Sequence, residues 1–241
     1  FLRRGRPLGL KTGDLIPSSA LAAAGIDDRA LAYLLQKHTY RVGTGRPGLF
    51  RTESAIAHPV ERRALRAEIL RSETLGSTPD GRQAFLVGGD SRIILRELAR
   101  LRELSFRRVG EGTGRRLDSD RFDATYRHLV LWDDADLEIA GAYRFGECAE
   151  ILPAQGLAGL YSATLFDFSP GFVDRLPGSV ELGRSFLQPK FWNSRALDTL
   201  WMGVAAYLRM RPGVRTLFGC VSLSGAYLEP AREAVVHFFR T

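Results

Sequence analysis

The feature that most constrains the fold is a change of hydrophobic period that repeats from about residue 83 onward. Short apolar runs typical of strands alternate with longer runs in which apolar residues recur every three or four positions, as in helices. The predicted order is strand, helix, three strands, helix, strand and helix. This order indicates an α/β or α+β domain in which helices flank a mixed central sheet. The predicted elements cover residues 83–87, 91–109, 128–132, 137–143, 179–186, 194–210, 215–223 and 228–239.

The first 80 residues do not share this pattern. They are rich in Arg, Ala and Leu and contain turns with Gly and Pro. Asp27 and Asp28 predict the cap of a helix that runs through Leu35, and residues 60–72 suit an amphipathic helix. No group of catalytic residues stands out among them. We therefore expect an N-terminal appendage at residues 1–80 and the main domain at residues 81–241.

The positive charge of the chain narrows its partners to three classes. Only three of the 34 basic residues are Lys, and the net charge is +7. Because Arg binds carboxylate and phosphate groups in a planar, bidentate manner, an acidic protein, an anionic lipid surface or a nucleic acid would fit. A GC-rich genome would raise the Arg content equally. No nucleic-acid motif accompanies the charge, and we expect no nucleic-acid partner.

Membrane-spanning and metal-binding patterns are both missing from the sequence. No apolar run approaches the ~20 residues that a spanning helix requires. Cys148 and Cys220 lie far apart, and the four histidines are scattered. This distribution predicts two reduced thiols, no metal site and a cytoplasmic protein.

Charged residues at three places could carry chemistry. The loop with Asp118, Asp120 and Asp123 could hold a cationic amine or form a solvated turn. Arg144 closes a predicted strand. In the strand around Glu181 and Arg184, alternation predicts that these two side chains face opposite sides of the sheet. Buried charges are costly unless they are paired or used, which leaves structural ion pairs and a functional site as equal alternatives.

The spacing of these residues resembles the pattern of acyl-homoserine-lactone synthases. That pattern has an Arg and a Phe on the first helix, an acidic triplet, an Arg that ends a strand, and a strand with the sequence Glu-Leu-Ser-Arg. The matching residues here are Arg102, Phe106, the acidic loop, Arg144 and residues 181–184. Gly183 replaces the Ser, and the Trp expected between helix and loop is absent. These departures argue against an acyl-homoserine lactone as the product but do not affect the predicted fold.

A second resemblance is to the haemolysin-like GNAT family, which includes the ornithine-lipid and glycine-lipid N-acyltransferases. It covers roughly residues 84–240. In that family the domain often follows a lysophospholipid-acyltransferase-like domain. Residues 1–80 would then be the tail of such a domain plus a linker, within a longer polypeptide. The resemblance is carried by Gly110-Glu111-Gly112-Thr113-Gly114, His128-Leu129, Trp132-Asp133, Gly159-Leu160-Tyr161, Glu181-Leu182-Gly183-Arg184-Ser185-Phe186 and Leu217-Phe218-Gly219.

The family resemblance implies an acyl donor but no bound cofactor. GNAT enzymes bind the pyrophosphate of coenzyme A at a helix N-terminus through a Gly-containing loop. Asn193, Ser194 and Arg195 occupy that place here. This departure favours the acyl-phosphopantetheine of an acyl carrier protein over acyl-CoA, with Ser185 and Phe186 also on the donor side. The acidic carrier protein and an anionic membrane surface are the expected partners, the latter at the inner face of the cytoplasmic membrane.

The resemblance also implies a reaction in which a (3-hydroxy)fatty acyl group moves to the amine of an amino acid or aminolipid. Glu181 would act as the general base, and Arg144 and Arg184 would hold the carboxylate of the acceptor or order the acidic loop. Asp118, Asp120 and Asp123 would bind the amine, together with Arg102 and Phe106. The alternatives are an autoinducer-type synthase that uses S-adenosylmethionine and a non-catalytic docking module for an O-acyltransferase. The His-x4-Asp match from His128 to Asp133 is interpreted as chance, with His128 buried.

Overall fold

The computed structural model describes residues 9–78, 81–223 and 227–239, and a six-stranded sheet organises most of them. The strands lie in the sheet in the order in which they occur along the chain. Neighbouring strands are antiparallel except for the last two, which are parallel. The strands are β1 Glu73–Ser77, β2 Gln83–Val87, β3 Arg127–Asp133, β4 Glu138–Glu147, β5 Ser179–Leu187 and β6 Thr216–Phe218.

Helices cover both faces of this sheet, as its sequence requires. Successive residues of a strand point to opposite faces of the sheet, and in the central strands both sets are apolar. Val130 and Leu131 of β3, for example, are both fully buried. Val130 packs on the face that carries α3 and α4, and Leu131 packs on the face that carries α7. The helices are α1 Ser18–Ala22, α2 Asp28–Gly43, α3 Arg62–Ile69, α4 Arg92–Arg108, α5 Cys148–Gln155, α6 Pro170–Val173, α7 Ala196–Met210 and α8 Glu229–Phe238.

The predicted fold class is confirmed, since the structure is a mixed α/β arrangement with a mixed sheet between helices. Three local predictions differ from it. The strand predicted over 137–143 continues to Glu147, so Arg144 lies inside β4 and does not end it. The edge strand β1 was not predicted, because its sequence offers Leu75 as the only large apolar residue. The last predicted strand, 215–223, is shorter: β6 ends at Phe218, and a side chain at Gly219 would clash with the carbonyl oxygen of Leu182.

The chain folds into two compact units. The first extends to Ala57 and includes Gly114–Arg116, and the second consists of the remaining residues from His58 onward. The sequence-based boundary at residue 81 differs from this division. Residues 58–80 contain α3, which packs on α4, and β1, which pairs with β2. They therefore belong to the unit that contains the sheet.

The first unit is held by helix capping and by one buried histidine. Asp27 accepts a hydrogen bond from the Ala30 N–H at 2.8 Å and caps α2, which extends to Gly43, beyond the predicted end at Leu35. His38 Nδ1 accepts hydrogen bonds from the backbone N–H groups of Leu49 and Phe50.

Throughout the described part of the chain, every helix is too short or too polar to cross a membrane.

Candidate active site

A one-turn helix shapes the acidic loop that the sequence singled out. Asp120 accepts a hydrogen bond from the Phe122 N–H at 2.9 Å, and Asp123 accepts one from the Asp120 N–H at 3.1 Å. This reciprocal arrangement is a capping box, which satisfies the free N–H groups at a helix start. The Asp118 N–H donates to the carbonyl of Ala99 in α4 at 2.9 Å. The loop is therefore a fixed structure, and its carboxylates have defined positions.

Arg102 on α4 binds this loop. Its two terminal nitrogens donate to the two carboxylate oxygens of Asp123 at 2.8 and 2.7 Å, and one of them also donates to the carbonyl of Asp118 at 2.7 Å. Arg102 and Asp123 are both buried. Burial raises the pKa of Asp123, but the guanidinium groups of Arg102 and Arg144 outweigh it and hold that pKa far below its usual range. Asp123 is therefore ionised at neutral pH.

Two further arginines reach the same loop from the sheet. Arg144 of β4 donates to Asp120 at 2.6 Å and to Asp123 at 3.0 Å. Arg184 of β5 lies 3.5 Å from Asp118 and 3.4 Å from Asp120. Three carboxylates thus face three guanidinium groups. The sequence had assigned these carboxylates to the acceptor amine, whereas in the structure their charge is already matched within the protein.

A β-bulge brings Arg184 to this face of the sheet. Arg144 pairs with Gly183 and Ala142 pairs with Phe186, which leaves two residues of β5 opposite one residue of β4. Arg184 is also in the left-handed region, with φ of 50°. Simple alternation predicted that Arg184 points away from Glu181. That prediction is wrong, because the bulge rotates the side chain to the side where both residues contact Tyr161.

Glu181 lies in a cluster of hydrogen-bond donors next to the arginines. Its carboxylate accepts hydrogen bonds from the side-chain hydroxyls of Tyr126 and Ser162 and from the backbone N–H groups of Tyr161 and Ser162, the last two at 3.0 and 2.6 Å. Burial and the neighbouring carboxylate raise the pKa of Tyr126, which keeps its hydroxyl protonated as a donor. Glu181 is only 2% exposed. Its carboxylate is therefore reached through these donors.

A cavity of about 420 Å³ opens where β5 and β6 part. The two strands pair over Ser179–Glu181 and Thr216–Phe218, after which β5 continues to Leu187 and the chain after β6 diverges. Cys220 in this wall lies 3.4 Å from the Ser162 hydroxyl, which in turn donates to Glu181. The lining residues are Phe106, Glu111, Tyr161, Leu165, Phe166, Leu182, Gly183, Arg184, Ser185, Cys220, Val221 and Ser222.

Ser185 at the bulge also lines a second cavity of about 320 Å³, which is largely apolar. Its walls include Phe186 and the exposed aromatic rings of Trp192 and Trp201. Of the two residues predicted for the donor side, Ser185 thus lines both cavities and Phe186 lines the apolar one. The other predicted donor residues, Asn193, Ser194 and Arg195, are exposed in the turn before α7.

One prediction remains, that for His128, and three residues of the site were not predicted from the sequence. His128 is buried, as expected, and its Nε2 lies 3.0 Å from the carbonyl oxygen of Asp123. Burial lowers its pKa to about 4, which keeps the ring neutral. Tyr126, Ser162 and Cys220 were not predicted, because single polar residues in irregular segments produce no periodic pattern. A buried acid such as Glu181 still requires donors, and that requirement was the available signal.

Comparison with known proteins agrees with this architecture. The sequence profile of the acetyltransferase (GNAT) domain matches residues 101–202. A glycine N(alpha)-acyltransferase from Phocaeicola vulgatus is 33% identical over 197 residues, which cover 76% of this chain and 60% of that protein. An L-ornithine N(alpha)-acyltransferase from Brucella abortus is 36% identical over 129 residues, which cover 49% of this chain and 42% of that protein.

A second glycine N(alpha)-acyltransferase, from Bacteroides thetaiotaomicron, is 31% identical over 199 residues, or 77% of this chain and 59% of that protein. The chain therefore spans about three fifths of the length of the two glycine N(alpha)-acyltransferases and about two fifths of the L-ornithine N(alpha)-acyltransferase. No solved structure gives a significant match.

Proposed function

We propose that this chain, whose residues 101–202 match the acetyltransferase (GNAT) domain, transfers a (3-hydroxy)fatty acyl group from acyl carrier protein to the amine of an amino acid. The names of its relatives, which specify glycine and L-ornithine as acceptors, support an amino-acid substrate. The product would be an N-acyl amino acid, the precursor of an aminolipid.

The observation that carries this proposal is the cavity between β5 and the chain after β6. A thioester arm needs a slot with polar groups at its reactive end and apolar walls along its length. The polar side chains of Arg184 and Ser185 lie at the β5 side of this cavity, and Phe106 and Phe166 supply apolar walls. The strand edge beyond Glu181 continues along the cavity without pairing to β6, so its N–H groups are available to stabilise an oxyanion.

Arg184 is the group that we assign to the carboxylate of the acceptor. Its side chain is 24% exposed and lines the cavity, and its contacts with Asp118 and Asp120 are longer than ordinary charge-assisted hydrogen bonds. Arg102, Arg144 and the acidic loop then serve to hold Arg184 in place, while Phe106 packs against the substrate.

In the proposed reaction the neutral amine attacks the carbonyl carbon of the thioester. The C–N bond forms, the C–S bond breaks, and the thiolate of the carrier's phosphopantetheine leaves and takes up a proton. The amine loses one proton, which passes through the Ser162 hydroxyl to Glu181 as general base. A relay is needed because Glu181 is buried and does not line the cavity. Ser162 is itself buried, and its hydroxyl lies 3.4 Å from the thiol of Cys220, which lines the cavity.

The acyl chain would leave the reaction centre at Ser185 and occupy the apolar cavity beside Phe186 and Trp201. The exposed turn with Asn193, Ser194 and Arg195 would meet the carrier protein, whose acidic surface suits the basic charge of this chain. The exposed Trp192, Leu197, Trp201 and Met202 next to it would suit contact with the inner face of the cytoplasmic membrane.

The direct test is to incubate the protein with 3-hydroxyacyl carrier protein and a panel of amino acids and to identify products by mass spectrometry. We expect an N-acyl amino acid whose formation requires both substrates. Acyl-CoA in a parallel reaction tests the donor, and we expect slower transfer from it. Release of methylthioadenosine from S-adenosylmethionine would instead identify an autoinducer-type synthase. Carrier-protein binding without any transfer would identify a docking module.

A further inference from the structure

The cavity between β5 and the chain after β6 carries an acidic side chain that the proposed reaction does not use. Glu111 lies in the turn after α4, and its backbone N–H donates to the Phe106 carbonyl at 2.9 Å, which fixes the turn. Its carboxylate accepts a hydrogen bond from the Ser222 hydroxyl at 2.8 Å and lines the cavity. No Arg, Lys or His in the described ranges forms an ion pair with it, whereas every carboxylate of the acidic loop faces an arginine.

Glu111 and Arg184 differ in exposure within this one cavity. The Arg184 side chain is only 24% exposed, and its Nε is buried. Glu111 is exposed and therefore lies at the mouth. The cavity thus has a basic group inside and an acidic group at its entrance, and apolar side chains such as Phe106 and Leu165 form part of its walls. This arrangement is complementary to a molecule with a carboxylate at one end, methylene groups in the middle and an ammonium group at the other end.

We infer that Glu111 determines acceptor specificity by binding the side-chain ammonium of a diamino acid whose carboxylate is held by Arg184. This inference rests on the proposed amino-acid acylation. The α-amine lies one bond from the carbon that bears the carboxylate and is therefore the amine held near the β5 bulge. Ornithine and lysine have a second amine that can extend to the mouth. Glycine has no side chain, and Glu111 cannot contribute to its selection.

The test is a comparison of kcat/KM for ornithine, lysine and glycine in the wild-type protein, E111Q and E111K. Because an exposed ion pair contributes about 0.2–1 kcal/mol, E111Q should lower the ornithine-to-glycine ratio by about 1.5- to 5-fold. Charge reversal in E111K adds repulsion, and we expect a larger decrease of about 10-fold with glycine little changed. The matched control is E233Q, on the exposed face of α8, which should keep the wild-type ratio.

Two outcomes would overturn the assignment of Glu111 while the proposed function still holds. One is a protein that acylates glycine and ornithine with a ratio that E111Q and E111K leave unchanged. The other is an equal loss with both acceptors, which would indicate a role of Glu111 in the turn and not in selection. A wild-type protein that acylates no amino acid would overturn the proposed function and this assignment together. Thermal unfolding of both variants verifies that they fold.

Discussion

Arg144 and Arg184 lie on neighbouring strands and contact the same carboxylate, that of Asp120, yet they differ in contact distance and in exposure. Arg144 contacts Asp120 at 2.6 Å and Asp123 at 3.0 Å, and its side chain is 1% exposed. Arg184 contacts Asp120 and Asp118 only at 3.4 and 3.5 Å, and its side chain is 24% exposed. One guanidinium is enclosed and makes short contacts, whereas the other makes only long contacts and faces a cavity.

The difference teaches that charge pairing alone does not identify a functional residue. A buried ion pair with short contacts stabilises a local structure, and its loss leaves an unpaired charge in the interior. An arginine with long contacts and an open side keeps the capacity to bind a ligand carboxylate. We therefore expect substitutions of Arg144 to change stability and substitutions of Arg184 to change activity.

The largest expected effect follows from removing the enclosed arginine. Arg144→Met retains most of the side-chain volume but leaves Asp120 and Asp123 with one cation fewer in a buried cluster. Loss of one partner of a buried pair costs about 3–5 kcal/mol, which is the expected decrease in the free energy of unfolding. Urea titration measures it. Arg195→Met, whose side chain is 90% exposed, is the control and should lose less than about 0.5 kcal/mol. Equal stability of the two variants would contradict the comparison.

The enclosed side of the site also predicts acid sensitivity through His128. Burial lowers the pKa of this ring from 6.5 to about 4. Between pH 6.5 and about pH 4, His128 therefore binds a proton in the unfolded chain but not in the folded protein. The corresponding stability is complete above pH 6.5 and is lost as the pH falls to about 4, a change of about 3 kcal/mol at 1.36 kcal/mol per pKa unit. Asp123, with its lowered pKa, adds to the loss only below about pH 4.

His128→Gln tests this by removing the titrating group while keeping an N–H that can donate to the Asp123 carbonyl. We expect a flatter dependence of unfolding free energy on pH between 6.5 and 4, whatever the absolute stability of the variant. The exposed His58, changed to Gln, serves as the control and should keep the wild-type slope. A slope that His128→Gln leaves unchanged would locate the acid sensitivity elsewhere.

The sequence was sufficient for the parts of the fold that depend on periodicity. β2 and α4 lie where their apolar patterns predicted them, at Gln83–Val87 and Arg92–Arg108. Both have a buried face whose apolar residues follow the period of the element. β1 was missed because an exposed edge strand needs few apolar residues, and Thr74 and Gly76 mark an irregularity in its pairing.

Only part of the charged cluster could be predicted from the sequence. Arg102, Asp123 and Arg144 were identified through the family pattern, and the structure joins them in one network. The orientation of Arg184 could not be predicted, because it depends on a bulge that shifts the register of β5. The donors of Glu181 were missed for a similar reason, since Tyr126 and Ser162 meet it only after folding, from positions 55 and 19 residues away.

Arg184, the partly exposed arginine, should contribute to binding of the acceptor. Arg184→Met should lower kcat/KM for amino acids by about 10- to 100-fold, since a hydrogen bond to a charged group contributes about 1.5–3 kcal/mol. The free energy of unfolding should change far less than in Arg144→Met. An amine without a carboxylate, such as the amino-acid amide, is the matched substrate and should lose little. An equal loss for acid and amide would remove the carboxylate-binding role from Arg184.

Ser162 sharpens the comparison because it links the enclosed Glu181 to the cavity wall. Ser162→Ala removes the hydroxyl but keeps the backbone N–H that binds Glu181. Since positioned proton transfer contributes about 10²–10⁴-fold, loss of its relay should lower kcat by at least ~10-fold with little change in KM. The pH profile of kcat should shift toward alkaline pH, where the amine is already neutral. Thr164→Ala, which removes an exposed hydroxyl nearby, is the control. A normal kcat in Ser162→Ala would exclude the relay.

The smallest expected effect concerns the apolar cavity on the other side of Ser185. Trp201 lines this cavity and is half-exposed, so its removal should cost little stability. Each methylene buried on binding contributes at most about 0.8 kcal/mol, and a half-open wall supplies part of that. We expect Trp201→Ala to lower kcat/KM by about 3-fold for long acyl chains and to leave short ones unchanged. The matched control is Met202→Ala, which lies beside it on α7 outside this cavity. Equal losses for long and short donors would mean that the acyl chain does not follow the apolar wall, and that the open side of the site ends at Ser185.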